Sequence, residues 1–196
     1  MLTIGLTGKT GAGKSTVALY LREQGCYIID GDIIARQITE KGSPVLTELQ
    51  NAFGKDILDE NGELIRKQLA ERAFSSRECT DILNSITHPA IKKRCEDEIE
   101  KAKKEGYKVS VIDAAALLDS SCKDICHKIV VVTAPEEIRL ERILRRDGIT
   151  TEQAMTRIKA QKSDEYYFSN ADIIIRNYPP YDKDECNYNE LRELIN

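Results

Sequence analysis

Gly8-Lys9-Thr10-Gly11-Ala12-Gly13-Lys14-Ser15, followed by Thr16, decides how the rest of the chain is read. The stretch fits the spacing G-x-x-x-x-G-K-[ST]. It follows an apolar strand pattern, Leu2–Leu6, and opens a helical one, Ser15–Gln24. On that helix Val17, Ala18 and Leu21 fall on one face, and Gly25 supplies the stop. The residue types match one chemistry. Glycines let backbone N–H groups turn inward around a phosphate oxygen without a clashing Cβ. The helix N-terminus adds partial positive charge. Lys14 can reach the β- and γ-phosphates of a nucleoside triphosphate, and the Ser15 hydroxyl can ligate Mg2+. The alternative is a glycine-rich turn that merely joins strand to helix.

Working outward, Cys26–Ile29 reads as a second buried strand closed by Asp30-Gly31-Asp32. Val109–Ile112, Lys128–Val132 and Asp172–Ile175 are further short, β-branched runs, as expected of parallel strands covered on both faces. Strand, turn, helix, strand is the opening of a parallel α/β sheet. The charged, helical stretch over about 43–105 exceeds what a crossover needs and reads as a helical insertion. The tail after Asn177, with Tyr178-Pro179-Pro180-Tyr181, predicts a turn and then a short helix.

The 196 residues carry a formal net charge of −4, which argues against a dedicated nucleic-acid binder. No apolar run approaches a membrane span, and the chain enters a strand pattern at once, without a leader-like segment. The expectation is a cytoplasmic protein whose cysteines are reduced. The six, Cys26, Cys79, Cys95, Cys122, Cys126 and Cys186, read mainly as core filler; Cys122, Cys126 and His127 lack a second ligand pair at zinc spacing.

A phosphate loop alone does not separate kinases from switches and motors. The chain has no Asn-Lys-x-Asp base-recognition motif and no Ser-Gly-Gly signature. It has Asp30 and Asp32 at the carboxyl end of the second strand, where parallel α/β sheets bind ligands. One carboxylate there can deprotonate an acceptor hydroxyl and the other can hold metal-bound water; the alternative is a cap on a helix from Ile33 onwards. Asp113 ends a strand and is a candidate Mg2+ ligand or a plain turn aspartate. Arg139, Arg142, Arg145 and Arg146 crowd a helix ending at Asp147-Gly148. Either one of them closes over the phosphates, Arg146 first and Arg142 second, or the group is a solvated face. Tyr166-Tyr167-Phe168 reads as core.

The runs Ile4–Gly8 through Lys14-Ser15-Thr16, Ile29-Asp-Gly-Asp-Ile-Ile-Ala-Arg36, Gly62-Glu-Leu-Ile-Arg66 and His88-Pro-Ala-Ile91 resemble, in order, those of dephospho-CoA kinases. Arg139–Asp147, Arg157 with Gln161, and Ala171-Asp172 ending at Asn177 continue the likeness. The resemblance implies a three-layer P-loop kinase fold: a parallel-sheet core over 1–42 and 106–196, a substrate-binding helical insertion at about 43–105, and a lid at about 142–165. It implies Mg2+ and ATP, with dephospho-CoA phosphorylated on its ribose 3′-hydroxyl. Carried onto this chain, Asp32 is the base, with Lys14 and the lid's Arg146 as its catalytic companions. Gly8–Thr16, Arg142 and Asn177 fall on the ATP side. Asp30, Arg36, Arg66, His88 and Asp119 fall on the acceptor side, with His88 before Pro89 equally readable as a helix start. Two departures stand out. Lys9-Thr10 replaces the family's Gly-Ile, and Ala115-Ala-Leu-Leu-Asp119 replaces its Pro-Leu-Leu-Phe-Glu.

Overall fold

Five strands lie parallel in the computed structural model, which describes residues 1–179 and 188–196. They are β1 (Leu2–Gly8), β2 (Tyr27–Asp30), β3 (Val109–Asp113), β4 (Lys128–Thr133) and β5 (Ile173–Arg176), each within two residues of its expected place. Their order in the sheet is β2-β3-β1-β4-β5. From β1 the chain crosses to the edge strand β2, whereas from β3 it crosses the other way to β4. The direction therefore reverses between the neighbours β1 and β3, which is where an open α/β sheet forms its crevice. Register sets Asp30 level with Asp113, and Asp113 level with Leu6.

The chain divides into two compact units, Met1–Asp30 with Glu98–Asn196, and Gly31–Asp97. In the first, Ile4, Leu6, Val109, Val111, Val130, Val132, Ile173 and Ile175 form one apolar face of the sheet. Onto it pack Val17, Ala18 and Leu21 of α1 (Lys14–Glu23) and Leu191 of α9 (Tyr188–Ile195), the terminal helix expected from the tail. The opposite face of β1 carries small residues. A Cβ on Gly5 would lie 2.5 Å from Leu117 and 2.9 Å from the Cys126 sulfur, so the bare backbone is what lets those side chains reach the sheet. α6 (Glu136–Asp147), α7 (Thr151–Lys159) and α8 (Asp164–Phe168) complete this unit. A left-handed Gly148 ends α6, and a reciprocal Thr150–Gln153 capping box starts α7.

The second unit holds α2 (Gly31–Gln37), α3 (Pro44–Phe53), α4 (Arg66–Ala73) and most of α5 (Arg77–Lys104). Ser43 caps α3 by accepting from Val45 N–H, with Pro44 in the first helical turn. Leu46, Leu49, Phe53, Ile57 and Leu69 are buried here. Arg72 donates to Asp56 and to the Phe53 carbonyl, and its guanidinium holds the Asp56 carboxyl down to about 2. α2 already begins at Gly31, so Asp32 lies inside its first turn rather than ahead of a helix starting at Ile33. The His88-Pro89 pair is no helix start either. Both residues lie inside the 28-residue α5, where Pro89 has no N–H for the Ser85 carbonyl.

Cys26, Cys95 and Cys122 are buried, and Cys126 is kept a thiol by burial, its pKa raised to about 12. His127 Nδ1 accepts from Thr3 N–H at 3.0 Å, which ties the start of β4 to β1. Pro180, Tyr181 and Cys186 lie outside the described residues. Among the described residues no helix is long and apolar enough to cross a membrane.

Candidate active site

β1 delivers the chain into a loop whose turns only glycine can make. Gly11 and Gly13 have φ of +78° and +91°. Gly13 is the residue before α1, and its carbonyl accepts from Thr16 N–H. Glycine is also needed for space. A Cβ on Gly8 would lie 2.4 Å from the Val132 carbonyl oxygen, and one on Gly13 would lie 1.9 Å from Asn177 Nδ2.

The loop is braced from outside. Arg142, on α6, donates from one terminal nitrogen to the carbonyls of Gly11 and Ala12, both at 3.1 Å, and from the other to the Asn177 carbonyl at 2.8 Å. Asn177 follows β5, is buried, and donates from Nδ2 to Ala12 O and Gly13 O at 3.2 Å. Every one of these bonds ends on a carbonyl of the loop or of Asn177. Ala12 N–H is taken by the Lys9 carbonyl and Thr16 N–H by that of Gly13, so with these outer carbonyls occupied the N–H groups of Gly11, Gly13, Lys14 and Ser15 are the loop's candidates for an anion. Arg142 and Asn177, expected on the ATP side, thus have direct partners in the loop itself.

The departing residues tie the loop's tip to the segment around α8. Lys9 forms an ion pair with Asp164 at 2.5 Å and lies over the Tyr167 ring; Thr10 N–H donates to Gln161 Oε1 at 3.1 Å. Of the aromatic trio only Tyr167 is buried. Phe168 is exposed, and the Tyr166 hydroxyl donates to Asp119 at 2.7 Å. The Asp119 carboxylate, with burial adding, pushes that phenol up to about 12. Asp119 therefore has a tyrosine partner that its sequence neighbours gave no sign of.

Lys14, the first residue of α1, bonds through Nζ to Asp113 Oδ1 at the end of β3. Side-chain exposures of 20% and 14% make the pair largely shielded. It bridges the two strands between which the sheet's direction reverses. In the candidate lid, Arg146 is exposed and held by Asp147, at 2.6 and 3.0 Å, and Asp147 also accepts from Arg157 at 2.8 Å. Those guanidinium contacts keep the Asp147 carboxyl below its usual range. The four arginines do not behave as one solvated face, since Arg139 is buried.

In the second unit Asp32 and Arg36 are exposed and four residues apart on α2, hence on one side of it. Arg66, at the first position of α4, donates to the Thr39 hydroxyl at 3.2 Å and more weakly to the Arg36 carbonyl. His88 is half-buried in α5, and Asp30 is an exposed strand end in the first unit.

Gly13→Ala tests the loop. The substitution puts a side chain in left-handed backbone and drives its Cβ into the Asn177 amide. ATP affinity measured by titration calorimetry is expected to fall at least about tenfold, with the far-ultraviolet circular dichroism unchanged; wild-type affinity would mean the loop geometry is not what binds.

The dephospho-CoA kinase family model matches residues 2–181. Among curated relatives, dephospho-CoA kinase of Corynebacterium diphtheriae is 46% identical over 177 residues, covering 90% of this chain and 88% of its own. That of Listeria innocua is 38% identical over 181 residues, covering 92% and 90%. Among solved structures, a Thermus thermophilus protein superposes with a TM-score of 0.83 at 26% identity, over 100% of this chain and 98% of its own. Dephospho-CoA kinase from Campylobacter jejuni gives 0.66 at 28% identity, over 98% and 96%. Shikimate kinase from Acinetobacter baumannii, at 0.52 and 17% identity over 99% and 93%, shares the fold.

Proposed function

The chain belongs to the dephospho-CoA kinase family, and from that premise we propose that it transfers the γ-phosphoryl group of ATP to the ribose 3′-hydroxyl of dephospho-CoA, giving coenzyme A and ADP. The observation that carries the reading is a braced phosphate loop, with Lys14 held at the crevice by Asp113, in a chain matched along residues 2–181.

The work then divides among residues. The N–H groups of Gly11, Gly13, Lys14 and Ser15 and the Lys14 ammonium bind the β- and γ-phosphates. Asp32 accepts the proton of the acceptor hydroxyl as its oxygen bonds to the γ-phosphorus and the bond to the β,γ-bridging oxygen breaks. Arg146 leaves Asp147 for the transferring group and neutralises the charge that develops on it. Asp30, Arg36, Arg66, His88 and Asp119 are assigned to acceptor binding, with Arg66 meeting a substrate phosphate. The Ser15 hydroxyl and Asp113 carboxylate are hard oxygen donors that suit Mg2+. When bound, that ion neutralises charge on the phosphate oxygens.

The Asp119–Tyr166 pair, whose aspartate ends the segment that departs from the family, favours one second reading: a kinase of the same type for a different small hydroxyl acceptor. Coupled ADP-release assays with dephospho-CoA, nucleosides and other small alcohols separate the two. Saturable turnover with dephospho-CoA, at a kcat/KM at least about a hundredfold above any other acceptor, is expected. Turnover confined to another acceptor would replace the proposal.

A further inference from the structure

The face of α6 that meets the phosphate loop carries a second cation. Arg139 precedes Arg142 by three residues, so the two lie on one side of the helix. Its backbone is stacked on the loop: a Cβ on Gly11 would lie 2.6 Å from the Arg139 carbonyl oxygen and 2.9 Å from its Cα. The residue is 4% exposed. Nε and one terminal nitrogen have no hydrogen-bond partner among the described residues, and the other terminal nitrogen lies 3.9 Å from the half-exposed carboxylate of Glu136. Burial and the Asp119 charge push the Tyr167 phenol up, while the Arg139 charge pulls it down.

A guanidinium taken out of water with so little in return is unfavourable, and an apolar side chain of similar length would be more stable in its place. Arg142 already has its partners in the loop. Arg139, against the same loop, keeps two donors in reserve, and the ligand class that satisfies them is an oxyanion.

We propose that Arg139 is a phosphate-binding residue of the nucleotide site, its side chain turning from its buried position onto an oxygen of the bound triphosphate. This rests on the reading that the glycine-rich loop holds a nucleoside triphosphate. Phosphate contact offsets the desolvation only when ligand is present, so the residue trades resting stability for affinity.

The test compares wild type with Arg139→Met, Arg139→Lys and Arg139→Gln by calorimetric titration with ATP, inorganic tripolyphosphate and adenosine, and by thermal melting without ligand. Arg139→Met is expected to bind ATP and tripolyphosphate roughly thirtyfold more weakly, the loss of one or two charge-assisted hydrogen bonds, with adenosine affinity unchanged. Its ligand-free melting temperature should equal or exceed that of wild type. Arg139→Lys should recover part of the loss. Unchanged affinity for ATP, or a loss equal for adenosine, would overturn the proposal, as would a ligand-free melting temperature several degrees lower with affinity intact. If Arg139→Met does not fold, the lysine and glutamine variants decide by the same titrations. A wild-type protein that binds neither ATP nor tripolyphosphate would instead remove the nucleotide reading underneath.

Discussion

Asp32→Asn is expected to lower kcat by about 10^2–10^4-fold and to leave the dissociation constant for ATP unchanged. The substitution keeps the shape of the side chain and removes only its ability to take a proton. Asp32 lies in the first turn of α2 and is exposed, so a competing role is to complement the positive end of that helix. Such a role is worth roughly 0.3–1 kcal/mol of stability and nothing in turnover. The two roles therefore separate: a base loses kcat with little change in melting temperature, a helix-end charge the reverse. A pre-steady-state measurement of phosphoryl transfer avoids confusion with slow product release. Turnover within threefold of wild type would remove the base assignment.

Lys14→Ala carries the second large effect. In the proposed mechanism the ammonium lies where charge builds on the phosphates as transfer proceeds, and removing one such preorganised donor is expected to lower kcat by about 10^2–10^3-fold. A smaller structural effect accompanies it, because Asp113 loses its ammonium partner in a setting where both side chains are mostly shielded. Asp113→Ala distinguishes the two contributions, since it removes the same ion pair and leaves Lys14 in place. Its ligand-free melting temperature should resemble that of Lys14→Ala, while its turnover should respond to Mg2+ concentration, as a metal ligand requires. Arginine at position 14 should not rescue, because a planar fork does not fit a site that holds a compact charge. Full activity in Lys14→Ala would contradict the role assigned to the loop's lysine.

How much of this was readable in advance follows from the range of the interactions. The five strands were legible because a parallel strand covered on both faces is apolar along its whole length, as in Ile129–Val132. The phosphate loop was legible because its glycines answer to local backbone geometry. The helix spanning His88 and Pro89 was not, since proline reads as a boundary and only tertiary packing carries a helix through it. The brace was not legible either. Arg142, Asn177 and the carbonyls of Gly11–Gly13 are more than a hundred residues apart along the chain, apart from Arg142 with Asn177, and no spacing rule joins them. The burial of Arg139 was hidden among four arginines that composition alone makes look alike.

The Asp147 carboxylate, shared between the exposed side chains of Arg146 and Arg157, has a consequence for the speed of the cycle. Ion pairs whose guanidinium groups stay open to water are held weakly. In the role proposed for Arg146, an arriving γ-phosphate exchanges for the aspartate at little cost, and the aspartate reclaims its cation as product departs. On that proposal Asp147 is a resident decoy for the phosphoryl group. It keeps the arginine oriented between turnovers while holding it too weakly to detain the substrate or delay release.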